Sequence, residues 1–208
     1  HGLQRFEPGA LGPFPDDVEV RKNIAYVQAA MGDMDDAIAT YQEILTITPQ
    51  DCAMWTQAGD AQRVMADRMK TEKGDQSPEF TVRMDEAIKA YTKVMEYCPD
   101  DIVVHNTLGE IYYGLGRRDE AAQVYEKMIA KDPKDVNVAS RLAFIYYKGE
   151  NWPKAAEAYK RLLDIDPERL DDRAIYAQVL QKLPEGAISS DEAESYAIHP
   201  EEVTRLLK

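Results

Sequence analysis

Three marks recur along this chain at fixed spacing, and their period constrains the fold more than any other feature. Alanine stands at Ala37, Ala87, Ala121 and Ala155, tyrosine at Tyr41, Tyr91, Tyr125 and Tyr159, and proline at Pro49, Pro99, Pro133 and Pro167. The last three copies step by 34 residues, while the first step is 50, so the second unit carries 16 extra residues inside an unchanged frame. A period of roughly 20 to 50 residues belongs to stacked supersecondary units, each unable to bury its apolar face alone. The Ala and Tyr marks lie on amphipathic stretches such as Ala121, Ala122, Val124, Tyr125, Met128 and Ile129, which follow a helical period. Proline lacks an N–H and restrains the residue before it, so each closing proline ends one helix and starts the next unit. The sequence therefore predicts an all-α array of helix pairs.

Small residues, Ala25, Gly59, Gly109 and Ala143, occupy position 8 of the four units, and Trp55 stands at position 4 of the second. With the A-x3-Y pair and the closing proline, these residues make the chain resemble the tetratricopeptide family. The resemblance implies a right-handed superhelical solenoid of antiparallel helix pairs, A and B, with units at 18–51, 52–101, 102–135 and 136–169. It also implies a function, since helix A of each unit lines a concave groove that holds a peptide or helix of a partner. Carried over by register, the groove positions are Lys22, Asn23 and Tyr26; Gln57, Asp60 and Arg63; Asn106, Glu110 and Tyr113; and Arg141, Phe144 and Tyr147. Amides suit a peptide backbone, and exposed aromatics and arginine are the residue types that dominate interface hot spots.

The carboxylate clamp by which some members capture chaperone C-termini needs Lys and Asn, then Asn, then Lys and Arg on successive A helices. Here the corresponding positions are Lys22, Tyr26, Gln57, Val103 and Thr107, or Thr56, Asp60, Thr107 and Arg141 in the next register. The clamp is not present.

Outside the four units the pattern loosens. Residues 1–17 contain Pro8, Gly9, Gly12, Pro13 and Pro15, which forbid a regular helix. They read as an extended lead-in, either a linker or an arm whose Phe6, Leu11 and Phe14 pack on a solenoid face. Residues 170–208 read as capping helices: an A-like helix over 170–183, a second over about 190–198 behind the Ser189 and Glu192 capping box, and a short last one from Pro200. The extra residues 68–83 center on the turn Gly74-Asp75-Gln76, with Ser77 and Pro78 suited to restart a helix. Both helices of that hairpin should lengthen by about two turns, or roughly 12 Å. Met65, Met69, Phe80 and Val82, with Lys73 at the tip, then either pack the hairpin against itself or form a second contact surface centered on Met69, Lys73 and Phe80.

Composition excludes several function classes. The formal charge of -13 opposes nucleic acid and anionic lipid and suits a protein or peptide with basic or mixed charge. No apolar run approaches the ~20 residues of a membrane-spanning helix. His1, His105 and His199 have no partners at catalytic spacing, and there is no metal motif, phosphate loop or nucleophile elbow, so no enzyme, metal or cofactor is expected. Cys52 and Cys98 read first as small apolar side chains; they also fall at the two ends of one hairpin, where a disulfide needs Cα atoms within ~7 Å. A cytoplasmic setting is favored, with an upstream targeting sequence left open. The alternative to partner capture is a homo-oligomer assembling through the arm, the long hairpin or the C-terminal face.

Overall fold

The computed structural model describes residues 17–184, and every regular element among them is an α-helix. The chain divides into two compact units, one ending at Val104 and the other starting at His105. The first holds α1 (Val18–Met31), α2 (Met34–Ile47), α3 (Cys52–Lys73) and α4 (Pro78–Tyr97), followed by the start of α5 (Ile102–Gly114). The second holds the rest of α5, then α6 (Arg118–Lys131), α7 (Val136–Lys148), α8 (Trp152–Ile165) and α9 (Leu170–Leu180). Odd-numbered helices are the A members of each pair and even-numbered helices the B members. The lead-in and the helices expected over 190–198 and beyond Pro200 lie outside the described residues.

The A helices start by one device. Asp17 accepts the N–H groups of Glu19 and Val20, Asp51 that of Met54, Asp101 that of Val104, and Asp135 those of Asn137 and Val138. Each aspartate satisfies donors that the first helical turn leaves orphaned and places negative charge at the positive end of the helix dipole. Where Arg169 stands in that frame, α9 has no side-chain cap. α9 ends at Leu180, three residues before the expected Leu183, and turn residues follow. Pro184 disfavors helical dihedrals at Leu183, which accounts for the early stop.

Packing within each pair turns on the tyrosine. Tyr41, Tyr91, Tyr125 and Tyr159 are all buried to within 1% of full burial. In the second and third pairs the ring presses directly on glycine: a Cβ at Gly59 would stand 2.8 Å from the Tyr91 ring, and one at Gly109 would stand 2.6 Å from that of Tyr125. Glycine here serves close approach. In the first unit α2 packs on α1 and α3, and α3 packs on α4, burying Ile38, Tyr41, Ile44, Met54 and Met65 in one core. In the second unit α7 packs on α6 and α8, and α9 closes on α8.

The α3–α4 hairpin is the longest, with helices of 22 and 20 residues. Ser77 caps α4 by accepting from the N–H of Phe80, and Pro78 fills its first turn. Gly74, at φ +88°, makes the tip turn in a conformation that side-chain-bearing residues avoid. At the other end, Cys52 and Cys98 form a disulfide with Cα atoms 6.4 Å apart. The two cysteines are thus joined across the base of the hairpin, not free as small apolar side chains. Chain proximity decides this: Cys52 opens α3 and Cys98 caps α4, and antiparallel packing brings those ends together.

Candidate partner-binding faces

Each A helix buries one side and presents the other. α3 buries Met54, Ala58, Ala61, Gln62 and Met65, which leaves Gln57, Asp60 and Arg63 on a different stripe. α7 buries Val138, Ala139, Leu142, Ile145 and Tyr146 and leaves Arg141, Phe144 and Tyr147 outward. Residues three or four apart stack along one helical face, so these short sets are continuous surfaces.

In the first unit, α1 and α3 carry the face. Lys22 donates to Asp51 at 3.0 Å and to Glu19 at 3.2 Å, so its ammonium is held above its usual range by these two hydrogen-bonded carboxylates. This pair ties α1 to the start of α3 and removes Lys22 from the freely available groups. Asn23, Tyr26 and Arg63 are exposed, and Gln57 is half-buried. Asp60 accepts a 2.6 Å hydrogen bond from the Tyr91 hydroxyl, and burial followed by that bond raises the phenol well above its ordinary value. The Tyr41 hydroxyl is buried without a hydrogen-bond partner, in the field of Tyr26 and Asp60.

In the second unit, α5 and α7 bring predicted residues into contact, and α9 adds Gln178. Arg141 donates to Glu110 at 3.0 Å, with both side chains well exposed. Such a pair adds little stability but orients the guanidinium. The rings of Tyr113 and Phe144 lie 5.9 Å apart. Tyr147 donates to Gln178 at 3.4 Å and meets Trp152 and Tyr159 edge-on at 6.1 and 6.4 Å. Asn106 is half-buried near the start of α5. Register alone did not single out Lys148, whose ammonium sits 5.3 Å from the Phe144 ring centroid and 5.6 Å from that of Tyr147. Lys148 lies four residues after Phe144, on the same helical face, so the spacing could have found it.

The long hairpin gives its predicted residues different settings. Phe80 is buried at 8% exposure, Met69 is half-buried, and Lys73 pairs with Glu79 at 2.5 Å across the tip. Val82 and Val64 remain exposed. Arg83 reaches from α4 to Gln62 of α3 and Asp35 of α2, at 3.1 and 2.6 Å. No helix among the described residues is long and apolar enough to cross a membrane, and no cluster of three or more His, Cys, Asp or Glu side chains there could hold a metal ion.

Two family models, both described as tetratricopeptide repeat, match the chain, one over residues 83–135 and 114–183 and the other over 5–51. The chain belongs to the tetratricopeptide repeat family. Solved structures of such proteins agree on the fold. The MamA RS-1 ArsTM double mutant is 20% identical over 92% of this chain and 95% of its own, with a TM-score of 0.54. MamA 41-end from Desulfovibrio magneticus RS-1 is 19% identical over 92% and 94%, with a TM-score of 0.53. YrrB, described as a TPR protein with an unusual peptide-binding site, is 14% identical over 92% of each chain, with a TM-score of 0.54. No curated protein matches. Tetratricopeptide proteins are in general interaction scaffolds, and an all-α tetratricopeptide solenoid with exposed A-helix faces is the structural basis for that role here.

Proposed function

We propose that this tetratricopeptide protein captures a peptide or helix of another protein on the outward faces of its A helices. The observation that supports this most is the surface of the second unit, where Tyr113, Phe144, Tyr147, Arg141 and Lys148 stand side by side on α5 and α7. Aromatic and arginine side chains held by neighboring packing lose little entropy on binding and supply most interface energy. The α1–α3 face adds polar reach through Asn23, Gln57 and Asp60. The chain's net charge of -13 favors a basic or mixed-charge partner. YrrB's description as a peptide binder is consistent with this reading.

The test is a triple variant, Tyr113→Ala, Arg141→Ala and Tyr147→Ala. Affinity for the partner captured by the wild-type protein should fall at least about tenfold, the effect of losing one hot spot. The helical circular dichroism spectrum should not change. Unchanged affinity in a folded variant would remove the second-unit face from the binding surface.

We further infer that the protein works in an oxidizing compartment, against the cytoplasmic expectation from sequence. Disulfides such as Cys52–Cys98 persist in oxidizing surroundings and are rare where glutathione and thioredoxin keep thiols reduced.

A further inference from the structure

The second unit has a groove of about 670 Å³ on the side of α7 away from the aromatic face. Ala139, Leu142 and Tyr146 form one stripe of α7, roughly opposite Arg141, Phe144 and Lys148 around a helix of 3.6 residues per turn. Ile129 and Ala130 of α6 and Ala158 of α8 form the walls above that floor. Three of these lining residues are alanines, so the space arises because small side chains stand where neighboring helices face each other. A groove of this size is within the range that holds a ligand side chain with its flanking backbone.

The two ends of the groove differ in charge. At one end, Glu126 accepts from the Tyr146 hydroxyl and from Lys154, and Lys154 also donates to the tyrosine oxygen at 3.4 Å. The tyrosine bond, then the lysine, hold the Glu126 carboxyl below its usual range, while burial and the bond to Glu126 push the Tyr146 phenol up to about 12. This end is internally satisfied and neutral in sum. At the other end Lys134 and Arg161 line the groove, and among the described residues neither has an ion-pair partner. The lining also holds Glu157, one turn from Arg161 on α8 and without an ion pair to it. Two unpaired cations beside an apolar floor, in a chain of net charge -13, specify the ligand's chemistry.

We propose that this groove is a second binding site, for a partner peptide that inserts one bulky apolar side chain between α6 and α8 and sets a carboxylate against Lys134 and Arg161. It is separate from the A-helix faces and selects the opposite charge, so one molecule can hold two segments of different character. Arg161 supplies a planar fork for a carboxylate, and Lys134 a mobile point charge.

A displayed library of random heptapeptides tests the site. Selections would be run on wild type, on Lys134→Glu with Arg161→Glu, on Ala158→Trp to fill the groove, and on the A-face triple variant. The expected result is a peptide class pairing Leu, Ile or Phe with a nearby Asp or Glu, recovered on wild type and on the A-face variant. Fluorescein-labeled copies of that class should bind those two proteins equally. They should bind the charge-reversed protein and Ala158→Trp at least about tenfold more weakly, the loss expected for a charge-assisted contact. The charge reversal alters two exposed side chains, so it reports on binding even if Ala158→Trp unfolds. Failure to recover such a class, or equal affinity for wild type and the charge-reversed protein, would overturn the proposal.

Discussion

Tyr91→Ala should destabilize the first unit by about 4 kcal/mol, the cost of removing a large aromatic side chain from a closed core. Its ring is fully buried against Gly59, and its hydroxyl donates to Asp60 at 2.6 Å. Tyr91→Phe, which keeps the ring and loses only that bond, should cost about 1 kcal/mol. The partner glycine provides an internal check on the geometry. In the wild-type background Gly59→Ala forces a Cβ to 2.8 Å from the ring and should cost about 2 kcal/mol through overpacking. In the Tyr91→Ala background the same substitution fills vacated space and gains about 1 kcal/mol of helix propensity, so its sign should reverse. Urea unfolding of the four proteins checks the cycle, and additive costs would show that the glycine is not there to admit the ring.

The disulfide carries the second large effect. Cys52 and Cys98 close a loop across 46 residues, and removing the link frees unfolded-chain entropy worth about 4 kcal/mol in the chain-entropy model. Cys52→Ser with Cys98→Ser should therefore lower stability by that amount, and so should reducing the native protein. The loss should fall first on the α3–α4 hairpin, whose base the bond clamps. Thiol titration of denatured protein taken from its own cells should find no free cysteine. Two free thiols there would contradict both the pairing and the oxidizing compartment.

What the sequence showed and what it hid follow from the same packing. Ala, Tyr and Pro were legible because close helix approach and helix termination demand particular residue types at fixed spacing. The capping aspartates Asp17, Asp51, Asp101 and Asp135 stand on the same frame, two residues after Pro15, Pro49, Pro99 and Pro133, and were equally readable. Register also placed the groove residues on outward faces, but not their pairings. Glu110 meets Arg141, Tyr113 meets Phe144 and Tyr147 meets Gln178, each 31 residues apart. α5, α7 and α9 are therefore offset by about one turn from the 34-residue repeat, so Tyr113 faces Phe144 and Tyr147 faces Gln178. That shift depends on how helices stack, which periodicity does not encode. The Cys52–Cys98 bond depended on a distance. The groove that Glu126, Lys154 and Arg161 line arises from small alanines facing one another across neighboring helices, a spatial relation that no repeat mark carries.

The most direct test of the central claim is site-specific photo-crosslinking in the protein's own cells. Benzoylphenylalanine would be placed at Asn23 and Phe144 on the A-helix faces, and at Gln42 and Lys89 on exposed positions of the B helices α2 and α4. The account predicts that the two A-face positions trap the same partner protein and that the two B-helix positions do not. Crosslinks to that partner from Gln42 and Lys89, with none from Asn23 or Phe144, would contradict it.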